Sequence, residues 1–293
     1  MRPNSNQHQT PRLVVVGYAN HDIDRYPDGR ERRGIGGGGY FAALAASREL
    51  ADVGFVTRVG EDFDLTTLRQ RVRCDAIEVV AGGETARSIQ TYRDLNNLSD
   101  RAIHLDPGVN PAISESDIPA DWLRGSRVVL VSTMVPKQHR DMVEGIVRRK
   151  SGETLGLSGL SLSAPLVAVD SDLCWLQDPS SRAEVLSLME MADIAFMNRA
   201  EGEILGDLVS RIPIVIIKKD AEGADVFVSG DRVFSVPAPR VDVVDVTGAG
   251  DVFAGTFLAR VALGGTLEEA ACAAVAAASL SVTKEGIDHL FLG

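Results

Sequence analysis

Three short stretches of the sequence carry residue types that could do chemistry. The first reads Asp245-Val-Thr-Gly-Ala-Gly-Asp251 and leads into a long segment with an apolar face. Gly248, Ala249 and Gly250 place small residues and free N–H groups where a helix begins, and the partial positive charge of that end favours an anion. Asp251 falls in the first turn of the same helix. A carboxylate there is a good helix starter, but two carboxylates flanking T-G-A-G ask for more. An acid beside an anion site is electrostatically costly unless it has work to do. Accepting a proton from a hydroxyl that attacks a phosphate is such work. The helix dipole is expected to keep Asp251 ionised at neutral pH. In the second stretch, Met-Asn198-Arg-Ala-Glu201, a spacing of three puts both polar side chains on one helical face, where they also read as a capping box. The third, Gly34-Ile-Gly-Gly-Gly-Gly39, contains a formal G-x-G-x-x-G. The residues before it, DRYPDGRERR, are too charged and turn-rich for the strand that a dinucleotide fingerprint requires. Bare backbone at a helix start can instead let a ligand come close.

Short β-branched runs alternate with amphipathic segments. Strands are expected over residues 13–17, 53–59, 127–131, 166–169, 194–197 and 213–217. Helices are expected over 40–50, 65–71, 137–149, 183–191, 200–208, 249–263 and 267–282. This rhythm implies βαβ units and an α/β fold, a mostly parallel sheet covered on both faces. Two regions break it: residues 22–33, charged and loop-like, and residues 77–105, with three strand-like runs that could form a small antiparallel flap. Residues 151–163 are rich in Gly and Ser and read as a surface loop. No repeat or linker divides the chain, so residues 1–293 are expected to form one domain.

The composition is that of a globular protein, 45% hydrophobic and 24% charged, with a net charge of -11 that argues against a nucleic-acid partner. No apolar run has the length of a membrane helix, so no membrane partner is expected. The polar opening residues, about 1–11, read as a tail rather than a signal peptide. Three widely spaced cysteines, Cys74, Cys174 and Cys272, fit reduced thiols and a cytoplasmic location.

D-x-T-G-A-G-D followed by an aromatic residue and a small-residue helix resembles the signature of the ribokinase-like (PfkB-type) carbohydrate kinases, over roughly residues 13–290. The resemblance implies a ribokinase-like fold with a small β lid, built from parts of about 21–34 and 77–106. It implies transfer of the ATP γ-phosphate, with Mg2+, to a hydroxyl, expected to be a primary alcohol, of a sugar or sugar-like polyol. Asp251 would be the base, and the amides of Gly248, Ala249 and Gly250 the anion hole. Gly17-Tyr-Ala-Asn20-His-Asp22 resembles the family's G-x-x-N-x-D, so Asn20 and Asp22, with Gly36 and Gly37 of the family's first glycine pair, would hold the substrate. Asn198 and Glu201 resemble the N-x-x-E motif that orders Mg2+ through water. Lys218 and Gly223 fit the strand and loop that carry nucleotide phosphates, although Asp220 stands where glycine is common. Asp245, Thr247, Ser281 and Gly286 would contribute to a monovalent-cation (K+) site, with Thr247 also near the nucleotide.

The sequence departs from sugar-specific members at Phe41, where an asparagine is common. An aromatic ring can stack on a ligand ring or pack in the core, but cannot replace the amide's paired hydrogen bonds. A nucleoside acceptor therefore stands as an alternative. Asp220 motivates a second alternative, a non-catalytic ligand sensor on the same fold. Arg87, Gln90, Tyr92, His21 and His104 are further candidates for choosing the acceptor. The exposed edge of a lid would also suit a homodimer.

Overall fold

The structure, a computed structural model, describes residues 10–94, 101–153 and 164–291. The polar opening residues 1–9 and most of the Gly/Ser-rich stretch, 154–163, lie outside the described residues.

Among the described residues the strands are β1 (Leu13–Val16), β2 (Asn20–Arg25), β3 (Glu31–Gly36), β4 (Val53–Gly60), β5 (Arg73–Val80), β6 (Arg87–Tyr92), β7 (Arg101–Asp106), β8 (Val128–Val131), β9 (Leu166–Asp170), β10 (Ile194–Asn198), β11 (Ile214–Lys218), β12 (Ala224–Val228) and β13 (Asp231–Val236). The helices are α1 (Gly38–Glu49), α2 (Thr66–Arg71), α3 (Ala120–Gly125), α4 (Pro136–Glu153), α5 (Leu173–Gln177), α6 (Pro179–Glu190), α7 (Arg199–Leu205), α8 (Ala249–Leu263) and α9 (Leu267–Ser281). A nine-stranded sheet runs β13-β12-β11-β10-β9-β8-β1-β4-β5, parallel from β11 to β5. The β12–β13 hairpin closes one edge antiparallel. A separate four-stranded sheet runs β3-β2-β6-β7.

The large sheet is buried on both faces. On β1, Leu13 and Val15 point into a core shared with α1, α8 and α9, whereas Val14 and Val16 point into a second core with Trp122, Met142 and Ile146. This is why the strand reads as an unbroken apolar run, as parallel strands do. In the first core Phe196 meets the Phe257 ring edge-on at 5.5 Å. There α8 lies so close to α1 that a Cβ on Gly255 would come within 2.1 Å of the Ala42 carbonyl oxygen. Among the described residues no helix is long and apolar enough to cross a membrane.

Four expectations are corrected. Residues 22–33 are not a loop: β2 and β3 form a hairpin in which Arg32 pairs with Asp24 and Arg25 with Glu31. A strand therefore does precede the glycine cluster. It lies in the small sheet and pairs antiparallel, so no βαβ unit surrounds the G-x-G-x-x-G. Residues 77–80 belong to β5, which pairs parallel with β4 on the edge of the large sheet, so the small sheet is built from β2, β3, β6 and β7 alone. That sheet is mixed rather than antiparallel, because β2 and β6 run parallel.

Candidate active site

The parallel strands end on one side of the sheet, where α/β proteins bind their ligands. Asp170 ends β9, Asn198 ends β10 and Lys218 ends β11. The small sheet faces this rim across a cleft of about 320 Å³. Asn20, Asp22, Gly37, Phe41, Lys218, Thr247, Gly248, Gly250 and Asp251 all line it, so the structure gathers these sequence candidates around one space.

Helix α8 opens at Gly248, whose φ of 74° is left-handed and whose missing side chain leaves room for the Phe41 ring; a Cβ would lie 2.5 Å from it. Phe41 is thus core packing for the loop and wall of the cleft together. Gly248 and Gly250 face the cleft. Ala249 does not line it, and its N–H donates to the Val246 carbonyl at 3.3 Å, so the backbone turn already uses one of the three expected donors.

Asp251 projects toward the start of α1. A Cβ on Gly38 would lie 2.7 Å from Asp251 Oδ1 and 2.5 Å from the Ser132 hydroxyl. The glycine run therefore lets two helix starts converge on one carboxylate. Burial pushes Asp251 up to about 6, against the pull of Lys218 and with repulsion from Asp172. Desolvation thus outweighs the expected lowering by the helix end, although the group is still mostly ionised at neutral pH.

Lys218 forms a buried ion pair with Asp170, its Nζ 2.9 Å from both carboxylate oxygens. Burial works against the charge on Lys218, but Asp170, Glu201 and Asp251 together hold it above its ordinary value. Asp170 is raised by burial and by Asp251 and Glu201, in spite of Lys218. Asn198 and Glu201 form the capping box of α7. Asn198 Oδ1 accepts Glu201 N–H at 2.9 Å and Glu201 Oε2 accepts Asn198 N–H at 2.7 Å. Ser171 also donates to that Glu201 oxygen at 2.6 Å. Three carboxylates facing one ammonium leave negative charge to be balanced, which fits a divalent cation. Among the described residues no three His, Cys, Asp or Glu side chains are grouped to ligate a metal directly, so the donor set fits an ion held mainly through water.

On the opposite wall, Asp22 is 6% exposed and its Oδ1 has no hydrogen-bond partner. Burial, then repulsion from Asp24, pushes it up to about 7, with Arg32 opposing. Gly36 lies beside it: a Cβ there would fall 1.8 Å from Asp22 Oδ2. Gly36 therefore makes room for Asp22 rather than lining the cleft, while Gly37, with φ 99°, does line it. Asn20 accepts from Asn110 Nδ2 at 3.3 Å. Asn110 is in turn held by Gln138, which Tyr18 also contacts. Gln90 lines the cleft, whereas His21 pairs with Asp62 at 3.3 Å and Arg87 with Glu84 at 3.1 Å. His104 lies exposed on β7.

Asp245, Thr247 and Gly286 are brought together: Asp245 Oδ1 accepts Thr247 N–H at 2.9 Å and Oδ2 accepts Gly286 N–H at 3.2 Å. The Ser281 hydroxyl donates instead to the Ala278 carbonyl, 2.8 Å away on its own helix. Gly223 does not line the cleft; its φ of 98° closes the turn after β11, where a Cβ would lie 1.9 Å from the Val236 oxygen. Asp220 has φ 50°, so its place in a glycine position is explained by the left-handed turn that Asp tolerates better than most residues. Its side chain is exposed. Sequence reasoning missed Asp170, Gly38 and Ser132. Asp170 was within reach, as a carboxylate ending an apolar strand at the ligand-binding rim. The other two carry no signal of their own.

Comparison with known proteins gives the same fold and family. The chain is 26% identical over 273 residues to a cytidine kinase of Thermococcus kodakarensis, covering 88% of this chain and 91% of the relative. It is 27% identical over 303 residues to an ATP-dependent ribose-1-phosphate kinase of Halopiger xanaduensis, covering 94% and 93%. The crystal structure of adenosine kinase from Sinorhizobium meliloti superposes with a TM-score of 0.79 at 21% identity, covering 94% of this chain and 95% of that one. The family model of the pfkB carbohydrate kinases matches residues 10–290, and the chain belongs to that family of ATP-dependent phosphotransferases.

Proposed function

We propose that the protein transfers the γ-phosphate of ATP to a hydroxyl, a primary alcohol, of a sugar or sugar-like acceptor, with Asp251 as the base. The observation that carries this reading is the position of the Asp251 carboxylate. It lines the same cleft as Gly248 and Gly250 at the anion-favouring start of α8 and as Asn20 and Asp22 on the small sheet. Those two side chains accept hydrogen bonds from acceptor hydroxyls and orient the reacting one toward Asp251. Asp251 takes its proton as the oxygen bonds to phosphorus, and the bond to the leaving ADP oxygen breaks. The Gly248 and Gly250 amides and Lys218 meet the charge on the transferring group. Glu201 and Asn198 would hold Mg2+ through water, and the ion would supply positive charge to neutralise the phosphates. The small sheet acts as the lid that excludes competing water.

A nucleoside acceptor is favoured by one further observation. Beyond Asp22 the cleft is walled by Phe41, Ile103, Leu105, Met134 and Trp175, an apolar surface that a bare polyol would leave unused and a base could cover. ATP turnover measured against pentoses, hexoses, inositols and nucleosides decides between these readings. One acceptor class should raise turnover far above background. No stimulation by any acceptor, with nucleotide still bound, would point to an alcohol outside this panel, whereas no nucleotide binding at all would favour a ligand sensor.

Two further results are expected. Turnover should fall about tenfold per pH unit once the pH drops below about 6, because protonation removes the base. A kcat profile that stays flat down to pH about 4.5 would exclude Asp251 from that role. Asp220→Asn keeps the left-handed turn and removes one exposed carboxylate near the phosphate-side loop. It should lower the KM for ATP about two- to threefold at low salt and less at high salt, as screening takes over.

A further inference from the structure

Arg32 joins two parts of the molecule that lie 213 positions apart in sequence. It sits on β3 of the small sheet, and its Nη1 donates to Asp245 Oδ2 at 2.6 Å, in the loop that opens α8. Its Nε donates to Asp24 Oδ2 at 2.8 Å on the neighbouring strand. Both carboxylates are buried, Asp24 at 1% and Asp245 at 6% exposure. Beside this contact, Tyr92 of the small sheet hydrogen-bonds the Thr247 hydroxyl at 3.3 Å.

A monovalent cation does not fit this corner as the family resemblance expects. The Asp245 carboxylate already accepts from Thr247, Gly286 and Arg32, and Ser281 is turned to its own helix. A metal ion at Asp245 would have to sit against a guanidinium that cannot lose its charge. We infer that Arg32 is a positioning residue for phosphoryl transfer: its guanidinium supplies the positive charge at Asp245 in place of a soluble monovalent cation. It thereby holds the loop of residues 245–248 in register with the small sheet. The inference rests on the kinase reading above, since what Arg32 positions is the anion-binding start of α8. It also predicts that the acceptor wall and the phosphate wall of the cleft are set by one side chain.

The test compares wild type and Arg32→Ala in potassium, sodium and tetramethylammonium chloride at equal ionic strength, reading kcat, both KM values and the melting temperature. Wild-type turnover should agree within about twofold across the three salts, with no melting shift specific to potassium. Arg32→Ala should lose about ten- to a hundredfold in kcat through misplacement of the loop. Millimolar guanidinium or potassium should restore a large part of that loss and raise the variant's melting temperature, whereas tetramethylammonium should not. Wild-type dependence on potassium would overturn the inference. So would an Arg32→Ala variant with wild-type kcat, or one whose loss neither cation relieves. If Arg32→Ala does not fold, Arg32→Lys and the wild-type salt comparison decide. If no acceptor supports turnover and no nucleotide binds, the kinase reading fails, and the melting temperatures still report whether Arg32 excludes a cation from Asp245.

Discussion

Asp251→Asn should give a folded protein that still binds ATP but turns over its acceptor about a thousandfold more slowly. The amide keeps the size of the carboxylate and its place beside Gly38 and Ser132, so the two helix starts need not move. What it cannot do is accept the hydroxyl proton. The direction of the stability change separates this loss from misfolding. Burial raises Asp251 to about 6, above its ordinary 3.8, so at pH 7 the folded protein carries an ionised group that its surroundings disfavour. The native state therefore holds this proton more tightly than the unfolded chain, and that contribution to stability fades as the pH rises from about 4 through about 6. A neutral amide does not suffer this loss, and Asp251→Asn should melt no lower than wild type at pH 7. A variant that retained turnover within about tenfold of wild type would remove Asp251 from the mechanism.

The parts of this site that were legible in the sequence are those whose chemistry is local. The start of α8 needs only seven consecutive residues, 245–251, to place glycines, a helix end and a carboxylate together. The capping box of Asn198 and Glu201 is likewise a property of four residues. The small sheet was harder because its inner face is polar. On β2 the buried residues are Asn20, Asp22 and Asp24, while the residues between them are less buried. A hydropathy reading takes such a strand for a charged loop. The polar face is covered because Asn20 and Asp22 line the cleft and Asp24 pairs with Arg32. The β12–β13 hairpin did carry a local signal, Ser229-Gly230 between two β-branched runs, and both residues have the positive φ, 51° and 86°, of a tight hairpin turn. Arg32 had none. Its meaning depends on Asp245, which only the tertiary fold brings to it.

The same polar face makes Gly36→Ala the most damaging small substitution expected on the acceptor side. A methyl group there would fall 1.8 Å from Asp22 Oδ2 and 2.4 Å from its Cγ. Gly36 faces Asn20 in the β2–β3 register, so the methyl cannot move away without carrying two hydrogen-bonded strands apart. Asp22 must therefore turn from its buried position, and the carboxylate that would hold acceptor hydroxyls is lost to the site. A contact that acts equally in the bound acceptor and in the transition state appears mainly in KM. The acceptor KM should rise about thirty- to a hundredfold, with kcat changed far less and the KM for ATP within about twofold of wild type. Gly34→Ala supplies the control: it is on the same strand, with nothing within 4 Å of its added Cβ, and should leave all three constants unchanged. If the two variants behaved alike, Asp22 would not be holding the acceptor, and the glycines of this stretch would matter only for the helix that follows them.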